Sequence, residues 1–299
     1  MTTIAVVITC YREGALITEA VTSVRSQTRL PDELIIVNDA SPDPSTNQVC
    51  QNLANSNDIR MIWRERNGGT SAARNDGFAA ANSEVIVLLD ADDLLPPDAL
   101  GAIARGFDTH PEIGFLYGAY RRQDQGTTLG RVVCPATVTL SESLRSRFLS
   151  LGTNWQLIGT TPIKRSLWQQ IGGYDVTYGS DDLHDVEFWL RAIATGSPSL
   201  KIPETIYHWR KYLGTNSRTV SPRAWAKLAR QYRFLYQQQG LEQRALTLML
   251  LGDKWEGRAT DATAELWQHC QKHGFSVGAI AALLLPPWLL RQSVGNWKR

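Results

Sequence analysis

Two textures alternate along the first hundred residues. The runs "IAVVIT" (4–9), "ELIIVND" (33–39), "IRMIW" (59–63) and "VIVLL" (85–89) are short and nearly all apolar. Runs of this length, rich in Val and Ile and bounded by polar residues, read as strands buried on both faces, as in parallel sheets. Between them lie stretches with helical spacing. Ala15 to Gln27 is amphipathic, and "TSAARNDGFAAAN" (70–82) is Ala-rich with Thr70 or Ser71 as its cap. "PPDALGAIARGF" (96–107) opens a helix with proline in its first turn. Strand and helix in this rhythm predict an α/β fold, a mostly parallel sheet flanked by helices with right-handed crossovers.

Beyond residue 110 the rhythm loosens. A strand is expected at 114–122, a helix at 141–151, and strand, short helix and Gly-Gly turn across 159–175. From Ser221 onward the pattern is helical, at 222–239, 241–251, 259–273 and 276–290. Pro222 marks the expected boundary between a domain at 1–220 and a helical C-terminal extension at 221–299. The apolar stretch "VGAIAALLLPPWLL" (277–290) has 14 residues and is interrupted by Pro286-Pro287. A spanning helix needs about 20. Two accounts stay open: packing on the helical tail, or peripheral membrane contact through an interfacial helix followed by Arg291, Trp297, Lys298 and Arg299.

Composition narrows the picture modestly. Of 299 residues, 43% are hydrophobic and 20% charged, which is ordinary for a globular chain. A net charge of +2 gives no reason to expect nucleic acid as a partner. Cys10, Cys50, Cys134 and Cys270 form no C-x-x-C pair, which argues against structural zinc or a disulfide scaffold. With no basic-then-apolar leader, the expectation is a cytoplasmic protein. Ten tryptophans suit a sugar-binding face, but core packing accounts for most of them equally well.

The chemistry gathers at strand ends. The first run leads into Thr9, Cys10 and Tyr11, the second into Asp39, the third into Asn67-Gly68-Gly69, and the fourth into Asp90, Asp92 and Asp93. In a parallel sheet these ends meet along one edge, where open α/β sheets hold ligands. Asp39 alone reads as a turn residue before "SPDP". On an extended chain Asp90 and Asp92 point to one side and Asp93 to the other. Carboxylates side by side repel one another, and Mg²⁺ or Mn²⁺ is the usual remedy.

The segments "VVITCYREGALITEAVTSVRSQT", "ELIIVNDASPD", "NGGTSAARNDGFAAANSEVIVLLDADD" and "HDVEFWLRA" resemble, in order and spacing, the motifs of family-two glycosyltransferases. The resemblance implies a GT-A fold: a Rossmann-like sheet binding a nucleotide-diphospho-sugar, with a UDP-sugar as the usual donor. It implies that Asp39 accepts from the nucleobase N–H, that Thr9 and Tyr11 frame the base pocket, and that Arg74 contacts the nucleotide. Asp90 would reach the ribose or the metal's water shell, and Asp92 would coordinate Mn²⁺ or Mg²⁺ bridging the diphosphate.

By the same resemblance, Asp185 is the base that deprotonates the acceptor hydroxyl in an inverting displacement. The acceptor would be a carbohydrate or lipid-linked. His184 stands where the family has Glu. Asp181 and Asp182 are rival bases, and an N-cap is the structural alternative for Asp185. Arg210 matches the Arg of a family Arg-x-His, but Tyr212 occupies the His position, with His208 or Lys211 as substitutes. Trp155 and Trp168 are candidates to stack on an acceptor. The Gln-x-x-Arg-Trp signature of processive relatives is absent, so transfer is expected to be non-processive. Two alternatives remain: a nucleotide-sugar-binding module without catalysis, and a sugar-phosphate nucleotidyltransferase. The latter needs a Gly-rich loop after the first strand, and "TCYREGA" has one glycine.

Overall fold

The computed structural model describes residues 1–124, 130–145, 157, 160–181, 183–211, 220–258 and 261–295, the side chains of 180, 181 and 292–295 excepted. The strands are β1 (Ile4–Cys10), β2 (Glu33–Asn38), β3 (Ile59–Trp63), β4 (Val85–Asp90), β5 (Phe115–Gln123), β6 (Arg131–Val133), β7 (Ile163–Lys164) and β8 (Ser199–Arg210). Helices α1 (Leu16–Arg25), α2 (Pro44–Ala54), α3 (Gly69–Ala80) and α4 (Ala99–Thr109) accompany the first four strands. Next come α5 (Leu140–Leu144), α6 (Arg165–Ile171) and α7 (His184–Ala194). After the last strand come α8 (Pro222–Gln231), α9 (Arg233–Gln238), α10 (Glu242–Glu256), α11 (Ala262–His273), α12 (Val277–Leu284) and α13 (Pro287–Gly295).

Two compact units divide the chain, and neither is continuous in sequence. The first comprises Met1–Thr137, Leu157–Gly179 and Arg191–Asn216; the second comprises Val138–Gln156, Ser180–Leu190 and Ser217–Arg299. The first unit holds the sheet, in the order β3-β2-β1-β4-β7-β5-β6, with β8 paired to β5. β3, β2, β1 and β4 run parallel, as their unbroken apolar character predicts. β7 is antiparallel to β4 and β5, β6 is antiparallel to β5, and β8 is parallel to β5. The expected mostly parallel sheet with flanking helices is present.

Register sets the level of the strand ends. Thr9 lies opposite both Val37 and Asp90, and Cys10 lies opposite Asn38. β2, β1 and β4 therefore finish together, and whatever follows each strand emerges on one edge. Gly77 lets α3 lie close on the sheet. A Cβ there would come within 2.4 Å of Val7 Cγ1 and 3.1 Å of Val37 Cγ2, so any larger side chain would push the helix away.

Several elements differ from the pattern reading. Helix α2 falls in a stretch for which the pattern predicts no element; Asp43 caps it by accepting from the Thr46 N–H at 2.8 Å, with Pro44 in the first turn. Helix α3 begins at Gly69 after Gly68, with no side-chain cap, so neither Thr70 nor Ser71 serves that purpose. Helix α4 starts at Ala99, leaving both prolines in the preceding turn. The helix expected at 222–239 is two, parted at Tyr232, and Leu285-Pro286 part α12 from α13 because proline cannot continue a helix. The helix expected at 141–151 is described only as α5, because residues 146–156 lie outside the described residues.

In the second unit, α10, α11, α12 and α13 share an apolar cluster around Leu246, Leu250, Leu266 and Leu290. The segment of α7 in this unit is anchored by Glu187, which is fully buried and accepts from the Tyr232 hydroxyl.

Candidate active site

The end of β2 is built around Asp39. Its backbone N–H donates to Cys10 O at 3.0 Å, which fastens it to the end of β1. Its carboxylate is buried and held by three donors: Oδ1 accepts from Gly68 N–H at 2.9 Å and from the Arg64 guanidinium, and Oδ2 accepts from Gly69 N–H at 2.8 Å. Gly69 has φ +80°, a conformation that side chains resist, and that turn aims two successive amides at one carboxylate. Arg64 is itself oriented by Asp76 at 2.7 Å. An ionised carboxylate offers about four acceptor sites, and three are filled here. One has no partner among the described residues.

The residue after Asp39 carries strain. Ala40 has φ 51°, in the left-handed region that costs a non-glycine residue roughly 1–2 kcal/mol. Such outliers persist where the surroundings force them, commonly beside binding sites. Here Ser41 supplies the force. Its N–H donates to Asn38 Oδ1 at 2.8 Å, and its hydroxyl donates to Tyr11 O. The backbone of Tyr11 is thus fixed beside Asp39, and the Arg12 guanidinium sits 5.2 Å from the Tyr11 ring centroid. Thr9, Tyr11 and Asp39 belong to one corner of the sheet edge.

The end of β4 has the opposite character. The strand stops at Asp90, and Asp93 N–H closes a turn onto Asp90 O at 3.0 Å. Strand alternation therefore does not set the direction of Asp92, which lies in the turn. Asp93 separates from Asp92 for a different reason, being drawn into the interior. It is buried, accepting from the Tyr207 hydroxyl at 2.7 Å and from Arg210 N–H at 2.7 Å. Arg210 also donates through Nε to Asp92 O at 2.7 Å and pairs with Glu19. Arg74, buried on α3, donates to Asp90 Oδ1 at 3.0 Å, and its guanidinium lies 5.4 Å from the centroid of the Tyr174 ring.

Electrostatics at this turn are unbalanced. Burial, and then the charge of Asp90, push the Asp92 carboxyl up to about 7, with Glu13 adding to the rise and Arg210 opposing it. Burial and the two neighbouring aspartates also raise Asp93 well above the carboxylate range. Asp92 is a half-buried oxygen donor in a surplus of negative charge, which suits a hard divalent cation. Among the described residues no three His, Cys, Asp or Glu side chains converge as a closed metal cage.

His208 is committed elsewhere. Its Nε2 is 2.9 Å from Gln123 Oε1, and burial lowers its pKa. Trp168 packs on Phe78 at 5.7 Å between ring centroids. Trp155, Asp182, Tyr212 and the side chain of Asp181 lie outside the described residues.

Asp185 belongs to the second unit. It occupies the first turn of α7, one residue inside the helix start, with His184 Nε2 3.6 Å from its Oδ2. Leu183 O accepts from Glu187 N–H at 2.8 Å, so the cap position is Leu183 rather than Asp185. A carboxylate in a first turn is favoured by the helix dipole.

Residues 5–172 match the family model described as Glycosyl transferase family 2. An uncharacterized glycosyltransferase of Nostoc, alr2836, is 35% identical over 159 residues, covering 51% of this chain and 47% of the relative. The poly-beta-1,6-N-acetyl-D-glucosamine synthase of Staphylococcus epidermidis is 25% identical over 210 residues, covering 68% of this chain and 51% of the relative. The chain spans about half the length of these two relatives. In fold it is similar to S. aureus TarS 1–349 in complex with UDP-GlcNAc, with a TM-score of 0.62 at 18% identity over 94% of this chain and 81% of that one. With the family model matching more than half of its length, the chain belongs to glycosyl transferase family 2.

Proposed function

We propose that the chain transfers a sugar from a UDP-sugar to an acceptor hydroxyl, with a divalent cation and inversion at the anomeric carbon, one residue per encounter. The observation that carries this reading is the Asp39 carboxylate, held by two backbone amides and Arg64 with one acceptor site to spare. A carboxylate whose oxygens accept from every partner favours a base edge that presents an N–H, as uracil N3 does, over one that presents a lone pair, as cytosine N3 does. Thr9 and Tyr11 frame that pocket, and Arg74 and Asp90, paired to each other, face the nucleotide from β4 and α3. The TarS complex with UDP-GlcNAc makes that donor the first to try.

Asp92 would hold Mn²⁺ or Mg²⁺ together with the donor's phosphate oxygens, and the bound ion would stabilise the charge that develops on the leaving diphosphate. Asp185 then takes the proton of the acceptor hydroxyl. The acceptor oxygen forms its bond to the anomeric carbon as the bond from that carbon to the diphosphate oxygen breaks, from the opposite face. A positioned base of this kind contributes about 10²–10⁴-fold.

A thermal-shift panel of nucleotide sugars with Mn²⁺ tests the donor assignment, because a ligand bound to the native state raises Tm. UDP-sugars are expected to stand out from CDP- and ADP-sugars; a flat panel would defeat the reading. Asp185→Asn is expected to lower turnover by about 10²–10⁴-fold with donor Kd unchanged. Lost donor binding with turnover intact would reverse its assignment.

A further inference from the structure

Helix α12 is apolar all round, "VGAIAALL", yet it buries one face only. Ala279 and Ala282 pack into the second unit's cluster. On the opposite face Val277 is 75% exposed, Ile280 43% and Leu284 77%. The next turn continues the surface, with Trp288 62% exposed in α13. Half-exposed Trp267 and Phe275 stand against each other at 5.3 Å just before α12. Spacing of three and four residues makes Val277, Ile280 and Leu284 one continuous stripe.

The exposed face is held in place. Ser276 caps α12 by accepting from Ala279 N–H at 3.2 Å. At the other end the Lys254 ammonium donates to the carbonyls of Ala282, Leu283 and Leu285 at 2.6, 2.9 and 2.9 Å. Both ends are fixed, so the helix cannot roll to hide the stripe. A stripe of this kind left in water implies an occupant.

Charge identifies the occupant. From residue 266 to 299 the sequence has Lys272, Arg291, Lys298 and Arg299 and no Asp or Glu. Tryptophan beside an apolar face, in a stretch of sequence with cations and no acidic residues, is the composition of a helix lying in a lipid headgroup layer. No helix among the described residues is long and apolar enough to cross a membrane. We propose that α12 and α13 seat this protein on an anionic lipid surface, with Val277, Ile280, Leu284 and Trp288 entering the acyl boundary. This inference does not depend on the transfer chemistry proposed above.

The test is flotation of the full chain with vesicles of equimolar phosphatidylcholine and phosphatidylglycerol, and with phosphatidylcholine alone. The chain is expected to float with the anionic vesicles. Ile280→Glu/Leu284→Glu should reduce that by more than about tenfold, and Lys272→Glu by about fivefold. Both substituted side chains of the double variant are exposed, so its Tm and its nucleotide-induced Tm shift should match those of the unaltered chain, separating lost lipid binding from lost folding or lost donor binding. Failure of the unaltered chain to float, or equal flotation of the double variant, would overturn the proposal. So would a dimer in light scattering that Ile280→Glu/Leu284→Glu dissolves without lipid present, since a second copy would then be the occupant.

Discussion

Two strand ends on the same sheet edge present carboxylates in opposite states. At the end of β2, Asp39 is surrounded by donors: the Arg64 guanidinium and the amides of Gly68 and Gly69. At the end of β4, burial and then the charge of Asp90 drive the Asp92 pKa up to about 7. The first is a finished acceptor that needs only a neutral N–H. The second is an unfinished site whose charge is relieved by a proton or a cation. The same side chain type, two strands apart, has two kinds of surroundings. What differs is which neighbours the turn after each strand supplies.

If the β4 end exists to hold a cation, Asp92→Ala has the largest effect. Losing a charge at 4 Å at an effective dielectric of 20 is worth about 4 kcal/mol, close to a thousandfold in turnover. Metal dependence should vanish together with activity. Full activity in excess chelator would contradict the role.

The next effect is in pH. A proton on Asp92 competes with the cation, so Mn²⁺ affinity should fall about tenfold per unit below pH 7 and level off above it. The sign for stability is the reverse of the common carboxylate case. Folding raises this pKa from the usual 3.8 to about 7, so the metal-free fold loses stability as pH climbs through that window. Mn²⁺ should therefore raise Tm more at pH 8 than at pH 5; an equal shift at both would remove Asp92 as the ligand.

Smaller effects belong to the β2 end. Asp39→Asn replaces a charged acceptor with an amide that can also donate, and should weaken UDP binding by about 10- to 100-fold while CDP binding suffers less. Arg64→Gln removes one of three donors that hold the carboxylate and should cost about fivefold in UDP affinity, within the range of a single hydrogen bond. Neither change should alter Mn²⁺ affinity in the absence of nucleotide. Calorimetric titration of each variant checks all three statements.

The contrast also marks what the sequence could reveal. β1 to β4 were readable because each is a short apolar run closed by a polar turn, and their parallel pairing follows from burial on both faces. The level of Asp39 and Asp90 on the edge follows from where those runs stop. Helix α2 was missed although Asp43-Pro44 is a recognisable start, because "SPDP" reads equally well as a turn. β8 has no counterpart in the pattern reading, since Ser199–Arg210 mixes exposed and buried positions without strict alternation.

Of the electrostatic difference between the two ends, the sequence shows the crowding of Asp90, Asp92 and Asp93 but not the distant partners of either end. Arg64 lies 25 positions from Asp39, and Tyr207 lies 114 from Asp93. Such partners are set by tertiary packing, which spacing along the chain does not encode. Alternation placed Asp92 on a strand, whereas the chain had already turned.

Calorimetric titration of uridine and of UDP, each with Mn²⁺ and with chelator, tests the division between the two ends most directly. Uridine should bind equally well under both conditions, because it needs only the β2 end. UDP should bind far more weakly once the cation is removed. UDP affinity that ignores the chelator, or uridine affinity that disappears with it, would contradict the account.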